Sequence, residues 1–186
     1  AEAAHDLTLD MLAKGQGTPL QWAWCQETVA DPIELAGLHF PNRVGLGAGL
    51  DKNARCIDAL GAMGFGFVEV GTVTPRAQPG NPKPRLFRLP QDNAIINRMG
   101  INNKGVHNAI EHIQKDPPKT IIAASIAKNS VSASDEDIIA DYKKAFSYMY
   151  DFVDLFTINV SCPNVQGLQN LQDVSYLSDI LDPLLD

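Results

Sequence analysis

The chain has 186 residues, and its 15 Lys and Arg against 22 Asp and Glu give a formal net charge of −7. That length suits one domain, and a composition with 45% hydrophobic and 20% charged residues is typical of a soluble globular protein with a sizeable core. The composition excludes a disordered or collagen-like chain. The acidic balance argues against a nucleic-acid-binding surface, which would be basic.

The cysteines and the lack of long apolar runs in the sequence indicate the compartment. Cys25, Cys56 and Cys162 are too few and too scattered for a disulfide scaffold or a zinc ribbon, which favours a reducing compartment. We expect Cys56 and Cys25 to be buried as small apolar side chains. No apolar run approaches the roughly 20 residues that a spanning helix needs, and the first residues lack a signal-peptide pattern. The four histidines lack the spacing of metal ligands, so we predict no metal site.

Residues 1–28 predict one or two helices, followed by a short β-hairpin over residues 33–40. Trp22 and Trp24 have apolar neighbours, which favours a place in the core. Their position near an amphipathic terminus leaves an interfacial membrane helix as the alternative. The hairpin has the position to plug the bottom of a barrel.

The rest of the chain repeats an apolar strand, a polar or Gly-rich turn and a helical segment, which is typical of a parallel sheet. The predicted strands cover residues 43–48, 66–72, 120–126 and 153–160. The clearest helix begins at Ser134, which three acidic residues follow, and it runs to about residue 150. A last helix begins near residue 174.

A long connection over residues 76–103 separates the second strand from its helix. It is rich in proline at first and then strand-like over residues 86–89 and 94–99. A connection of this length inside a compact domain usually carries function.

Four βα units are half the number in a (β/α)8 barrel, whose usual size is about 250 residues. The choice therefore lies between a small open α/β sheet and a truncated barrel. The sequence starts within a helical pattern without a methionine and stops at Asp186 while a helical pattern continues. We interpret this as truncation at both ends.

Candidate chemistry is concentrated where the predicted strands end, because the carboxyl rim of an α/β barrel carries its active site. After the first strand, Ala48 and Gly49 would let a flat ring approach the backbone, with Lys52 as a cation just beyond. A tight turn with a solvated lysine is the competing interpretation. Thr72 offers a hydroxyl at the rim, and residues 97–100 offer an amide and a glycine, although an ordinary turn explains them nearly as well.

The end of the fourth strand is the most informative segment. Asn159 and Asn164 flank Cys162 on a rim stiffened by proline, and two amides supply the donors and acceptors that a planar ring with carbonyl and N–H groups requires. Cys162 would act as a base or a nucleophile if its thiolate is accessible. The alternative is a cysteine that packs as a small apolar group.

Several motifs occur together and in one order along the chain. They are Ala48-Gly49-Leu50-Asp51-Lys52, residues 58–66, residues 70–75 with 84–89, Asn97-Arg98-Met99-Gly100 and residues 159–164. This set resembles the dihydroorotate dehydrogenase family over essentially the whole chain, and within it the membrane-associated class 2 branch.

The resemblance implies a (β/α)8 TIM barrel that binds FMN, of which roughly the N-terminal half is present, preceded by a helical extension. It also implies oxidation of (S)-dihydroorotate to orotate in de novo pyrimidine biosynthesis, with hydride transfer to FMN and electron transfer to a quinone. The residues carried over to the flavin by position are Ala48, Gly49, Lys52, Thr72, Ser125 and Asn159.

The substrate residues follow from the same resemblance. By position they are Lys52, Asn97, Arg98, Met99, Gly100, Ile101, Asn159 and Asn164. Cys162 is implied as the catalytic base that removes the C5 proton. Amides match the imide edge of the orotate ring, and a lysine near the flavin's pyrimidine end stabilises negative charge there.

In class 2 enzymes an N-terminal helical extension faces the membrane and forms a quinone tunnel. Residues 1–30 resemble the second part of that extension and residues 31–186 the first half of the barrel, and His5 and Arg88 match positions that face the quinone. The resemblance therefore implies a peripheral protein on the cytoplasmic side of the cell membrane, the inner membrane in a bacterium. The implied partners are dihydroorotate or orotate and a quinone, without nucleic acid.

Three positions depart from the class 2 pattern. Class 2 proteins typically have serine where Cys162 stands, asparagine where Ser125 stands and an aromatic residue where Ile101 stands. Cysteine is typical of class 1. A soluble, cytoplasmic class 1-like dehydrogenase that uses fumarate or NAD is therefore the alternative.

A third interpretation is a half-barrel that is not an enzyme. In this family the second half of the barrel supplies another flavin-contacting lysine and the Gly-rich phosphate loops. Four strands of a barrel also leave two open sheet edges, which favour self-association. We expect the 186-residue chain alone to hold FMN weakly and to be inactive.

Overall fold

A computed structural model describes residues 2–27, 29–165 and 171–185. In chain order the helices and strands are α1 (Glu2–Gly15), β1 (Ile33–Leu35), β2 (Leu38–Phe40), β3 (Gly45–Leu46), α2 (Ile57–Gly61), β4 (Phe67–Val73), β5 (Leu86–Leu89), β6 (Ala94–Asn97), α3 (Val106–Lys115), β7 (Ile121–Ile126), α4 (Asp135–Met149), β8 (Leu155–Ile158) and α5 (Val174–Leu185). Short 3₁₀ turns cover Pro19–Ala23, Pro90–Asp92 and Tyr150–Phe152.

The centre of the fold is a four-stranded sheet with the strand order β3-β4-β7-β8, in which every pair is parallel. Each pair of neighbouring strands is joined through a helix, with α2, α3 and α4 in turn between them. A sequential parallel order with one helix per connection is the architecture of a (β/α)8 barrel, of which four strands make half. The predicted fold class is thereby confirmed.

The four predicted strands are present, and the first is much shorter than expected. β3 comprises only Gly45 and Leu46, because the residues after Leu46 do not continue its parallel pairing with β4. The Ala48 N–H donates to the Glu69 carboxylate at 3.1 Å, and the Gly49 N–H donates to the Gly71 carbonyl at 2.8 Å. The backbone around Gly49 is therefore held open at the carboxyl end of the sheet.

The core lies between the sheet and its helices. Val68 and Val70 of β4 are fully buried and share the core with Leu60 of α2, Ala109 of α3 and Tyr142 of α4. Burying a valine or leucine side chain contributes roughly 1.5–3 kcal/mol. This core fixes the carboxyl ends of β4, β7 and β8 side by side. The predicted start of α4 is also confirmed, since the Ser134 hydroxyl accepts the Asp137 N–H.

The N-terminal segment packs on the barrel half through α1, whose Leu9 and Leu12 join the same core. Two expectations for the residues that follow are wrong. The Trp22 side chain is 86% exposed rather than part of the core, and Cys25 is exposed rather than buried. The cause is the 3₁₀ turn, which lacks the period of an amphipathic α-helix, so only Trp24 packs inward, over Gly15.

The β1–β2 hairpin lies at the amino end of the sheet. Its Phe40 ring meets the ring of Phe67, the first residue of β4, edge to face at 5.6 Å. This is the bottom of the barrel half, where the sequence places a plug.

The long connection forms a second hairpin, in which β5 and β6 pair antiparallel from Leu86↔Asn97 to Leu89↔Ala94. A bridge between Gln78 and Asn103 ties its two ends together. The buried Asn103 also accepts the Thr74 N–H through its side chain, at 3.2 Å, which anchors the connection just beyond β4. The hairpin is thereby held above the carboxyl end of the sheet.

Within the described ranges, no helix is both long enough and apolar enough to cross a membrane. The division of the chain at residue 30 stays a prediction.

Candidate active site

A cavity of about 300 Å³ lies at the carboxyl end of the strands, between the sheet, α1 and the β5–β6 hairpin. Most predicted site residues meet there. They are His5, Ala48, Gly49, Lys52, Thr72, Asn97, Met99, Gly100, Ile101, Asn159, Cys162 and Asn164. Glu2 and Leu86 complete the lining, and the sequence predicted neither.

The wall beside the sheet is open backbone. Gly49 has a φ of +113°, and a Cβ added there would meet nothing within 4 Å. Ala48 and Gly49 therefore present a face without side-chain obstruction, on which a flat ring has room to lie against the main chain.

A hydrogen-bonded chain crosses the ends of three strands beside this wall. The Asn159 Nδ2 donates to the Thr72 Oγ1 at 2.9 Å, and Thr72 Oγ1 lies 2.8 Å from the Ser125 Oγ. Ser125 is buried behind Thr72 and does not line the cavity. Its position supports a ring ligand indirectly, because it fixes the Thr72 hydroxyl.

Asn159 is held at each of its backbone and amide groups. Its N–H donates to the Ile126 carbonyl at 2.9 Å, and its carbonyl accepts the Tyr142 hydroxyl at 2.7 Å. The Asn159 Oδ1 accepts the Ser161 N–H at 3.2 Å. One amide hydrogen and one oxygen lone pair remain for a ligand, so Asn159 is a rigid donor and acceptor at a fixed place.

The other two amides stand close together across the cavity. The Asn164 Nδ2 lies 3.4 Å from the Asn97 Oδ1, a long separation that leaves both groups able to bond a ligand. Cys162 is half-buried, packs against the core and lines the cavity near them. Cys162 therefore shares one cavity wall with the amides.

The side chains of Lys52 and His5 lie on the side of the cavity next to α1. The Lys52 Nζ donates to the Gly49 carbonyl at 2.7 Å, and burial lowers the pKa of Lys52. Burial, followed by the positive charge of Lys52, lowers the pKa of His5 below its ordinary 6.5. The His5 ring is therefore neutral at neutral pH.

An ion pair closes the same side of the cavity and escaped the sequence analysis. Arg85, whose side chain is only 6% exposed, grips Glu2 with both ends of its fork, at 2.7 Å from Nη2 to Oε1 and 3.2 Å from Nε to Oε2. The Arg85 hydrogen bond, helped by Lys83, lowers the pKa of Glu2 to about 2. The only sequence signal was an acidic residue in the first turn of a helix, 83 residues from its partner.

Besides Ser125, two more predicted residues lie outside the cavity. Arg98 donates to the Pro84 carbonyl at 2.8 Å and lies over the Phe87 ring, so its side chain is engaged away from the cavity. Arg88 is exposed on β5. Their roles toward substrate and quinone stay predictions.

The residues present fit the flavin ring of FMN. The open backbone at Ala48 and Gly49 provides a flat approach, Thr72 and Asn159 provide a hydroxyl and an amide at its edge, and Lys52 provides a nearby cation. Across the described residues, no three His, Cys, Asp or Glu side chains cluster as metal ligands would.

Comparison with known proteins identifies relatives of the chain. Residues 32–185 match the family described as dihydroorotate dehydrogenase. The chain is 57% identical, over its full length, to the dihydroorotate dehydrogenase (quinone) of Acidovorax sp. (strain JS42), of which it covers 55%. It is 52% identical to the protein of the same name from Delftia acidovorans, again over the full chain and 54% of the relative. The chain thus spans about half the length of the curated relatives it matches.

Solved structures of proteins named DHODH are also similar to the chain. The chain matches ligand-free DHODH from Eimeria tenella with a TM-score of 0.86 at 36% identity, covering 99% of this chain and 52% of that one. The match to the same organism's DHODH in complex with ferulenol has a TM-score of 0.84 at 34% identity, over 100% and 50% of the two chains. The chain belongs to the dihydroorotate dehydrogenase family.

Proposed function

We propose that the protein containing this sequence oxidises (S)-dihydroorotate to orotate in de novo pyrimidine biosynthesis, with FMN as its cofactor and a quinone as the final acceptor. The observation that carries the proposal is the convergence of three amides, a lysine and a thiol on one cavity at the carboxyl rim. The names of the relatives, which specify a quinone, support the acceptor.

The flavin would lie along the open backbone of Ala48 and Gly49. Thr72, Asn159 and Lys52 would hold its ring edge, and Ser125 would fix the Thr72 hydroxyl. When bound, FMN supplies an acceptor for two electrons.

The substrate ring would lie between this face and the amides of Asn97, Asn159 and Asn164. Each amide offers both a donor and an acceptor, which suits a ring whose edge alternates C=O and N–H groups. Lys52 would add a cation for the negative charge of the substrate, and Met99, Gly100 and Ile101 line the same pocket.

The oxidation removes a proton from C5 and a hydrogen with its bonding electrons from C6, and it leaves a C5=C6 double bond. Cys162, on the cavity wall, would take the C5 proton on its sulfur. The amides would hold the ring in one orientation for this transfer, which is catalysis by positioning.

The quinone would bind on the side of the cavity that faces α1, where the neutral His5 ring lies, with Arg88 as its second contact. A peripheral place on the cytoplasmic face of the membrane fits this route. Exposed apolar side chains of the N-terminal segment support it, and they are Leu7, Met11, Leu20 and Trp22.

One observation favours a second candidate. Cys162 is the residue typical of class 1 enzymes, which use soluble acceptors. A screen of a ubiquinone analogue, fumarate and NAD as oxidants of the reduced protein discriminates between the two acceptors.

The proposed acceptor predicts that Arg88→Ala, in the full-length FMN protein that contains this sequence, separates the two half-reactions. Quinone reduction should fall about tenfold to a hundredfold, the range expected for a lost charged hydrogen bond, while flavin reduction by dihydroorotate survives. Both rates are measured by stopped-flow absorbance. The matched control is Arg43→Ala, an exposed arginine paired with Asp31 just before β3, which should change neither rate. Equal losses in both half-reactions for Arg88→Ala would contradict the role of Arg88 as a quinone contact.

A further inference from the structure

We propose that Asn81 is a positioning residue for the substrate: it joins the two separate segments that carry the orotate-binding amides. The inference rests on the proposed function and extends it to a residue outside the cavity lining. Asn81 lies in the long connection, between β4 and β5, and nothing in its own neighbourhood of the sequence marks it.

The Asn81 side chain uses both amide hydrogens to bridge two distant parts of the chain. Its Nδ2 donates to the Arg98 carbonyl at 2.9 Å and to the Asn164 carbonyl at 3.2 Å. The first acceptor is the backbone carbonyl of the residue that follows Asn97. The second is the backbone carbonyl of Asn164, whose own side chain is the third proposed substrate amide. One side chain therefore ties the segment after β6 to the segment after β8.

The Asn81 backbone is fixed as firmly as its side chain. Its N–H donates to the Met99 carbonyl at 3.0 Å, and its carbonyl accepts from the Nη1 of the buried Arg85, also at 3.0 Å. Arg85 in turn holds Glu2, so the bridge has a rigid base. Asn81 cannot follow a movement of either segment without losing these bonds.

Close packing shows that the fit at Asn81 is tight. A Cβ added at Gly100 would come within 2.8 Å of the Asn81 Cγ. Gly100 also has a φ of +74°, which favours glycine. The segment 97–101 therefore rests directly on the Asn81 amide.

The consequence is a set separation between the amides that would hold the substrate. The Asn97 and Asn164 side chains stand 3.4 Å apart, and the only side chain that bonds the backbones of both segments, among the described residues, is Asn81. Without its two donors, the segments lose their common support, and each amide must be ordered when the ligand binds. Ordering on binding weakens affinity.

The test is orotate binding by isothermal titration calorimetry to the full-length FMN protein, with Asn81→Asp and Asn81→Ala. Aspartate keeps the shape but replaces the Nδ2 and its two hydrogens by one oxygen that faces two carbonyls, whereas alanine removes the group without adding charge. The orotate Kd should rise about tenfold to a hundredfold, the range for two lost hydrogen bonds. The KM for dihydroorotate should rise in parallel, while kcat and the FMN content change much less.

The control pair is Gln91→Glu and Gln91→Ala, which makes the same amide-to-carboxylate and amide-to-methyl changes. Gln91 is an exposed glutamine in the turn of the same β5–β6 hairpin, and its side chain makes no hydrogen bond within the described part of the chain. These variants should bind orotate as the unmodified protein does. An effect of equal size at both positions would overturn the role of Asn81.

The remaining outcomes separate this inference from the proposed function. Unmodified protein that binds orotate, with Asn81 variants that bind it equally well, would overturn the positioning role alone. Asn81 variants that lose FMN but keep the orotate affinity of the protein that remains loaded would also overturn it. Unmodified FMN protein that does not bind orotate would overturn the proposed function, and the role of Asn81 with it.

Discussion

In the proposed mechanism, Cys162 is the residue that takes a proton from the substrate. It is half-buried on the cavity wall, in the segment that carries Asn159 and Asn164. A cysteine titrates much closer to neutral pH than a serine does, so it needs less help to act as a base.

We predict that Cys162→Ser in the full-length FMN protein slows flavin reduction by roughly 10²–10⁴-fold, the range of general-base catalysis. The pH dependence of the remaining rate should move upward, because the serine hydroxyl gives up its proton less readily. The measurement is the stopped-flow rate of flavin reduction from pH 6 to 10. Cys25→Ser, at an exposed cysteine away from the cavity, is the matched control. An unchanged rate and pH profile for Cys162→Ser would remove Cys162 as the base.

The sequence predicted residues whose place follows from a strand end, and it missed those whose place follows from distant partners. Asn159 and Asn164 follow β8 at the carboxyl rim, and the β5–β6 hairpin brings Asn97 into the same cavity. Tyr142 fixes Asn159 from a helix, and Glu2 faces Arg85 across 83 residues. Contacts of this kind depend on tertiary packing, which local pattern does not encode.

At the scale of elements, α1 is attached to the barrel half by a charge pair as well as by apolar packing. Arg85 holds the Glu2 carboxylate, and its hydrogen bond is the main cause of the Glu2 pKa of about 2. The pKa of Glu2 in the folded protein lies below its ordinary 4.5. Its ionised carboxyl therefore stabilises the docked helix fully at any pH above 4.5. This contribution is lost as the pH falls from 4.5 toward 2.

We predict that Glu2→Gln loosens α1 at neutral pH as acid does in the unmodified protein. Glu2 keeps 17% of its side chain exposed, so the cost of removing it lies well below the roughly 3–5 kcal/mol of a fully buried pair, and the remaining bonds of Arg85 reduce it further. The amides of α1 should exchange with solvent at least about tenfold faster in native-state hydrogen exchange. Glu136→Gln, at the exposed start of α4, should leave α1 unchanged. Equal protection of α1 in all three proteins would contradict the role of the pair.

The boundaries of elements were predictable where apolar period and capping agreed, and unpredictable where side chains interrupted the backbone pattern. α4 begins after Ser134 as expected, since the cap and its acidic first turn are local features. β3 is shorter than expected because the Glu69 carboxylate takes the Ala48 N–H. Trp22 is exposed because a 3₁₀ turn replaces the expected helix.

At the scale of the whole molecule, the repeat of strand and helix predicted a parallel sheet, and the resemblance to the family implied half of a (β/α)8 barrel. The parallel order β3-β4-β7-β8 follows from connections that each return through one helix of the sheet's parallel units. The long connection was marked by its length, but its hairpin and its Asn81 bridge depend on contacts with the far ends of β4 and β8. The fold was therefore more predictable than the support of the site.

The central claim is that this cavity belongs to an enzyme that oxidises dihydroorotate. The most direct measurement is anaerobic mixing of the full-length FMN protein that contains this sequence with (S)-dihydroorotate, followed by the flavin absorbance near 450 nm. We predict bleaching of the flavin with formation of one orotate per FMN, since each oxidation releases two electrons. A flavin that dithionite bleaches but dihydroorotate leaves oxidised would contradict the claim.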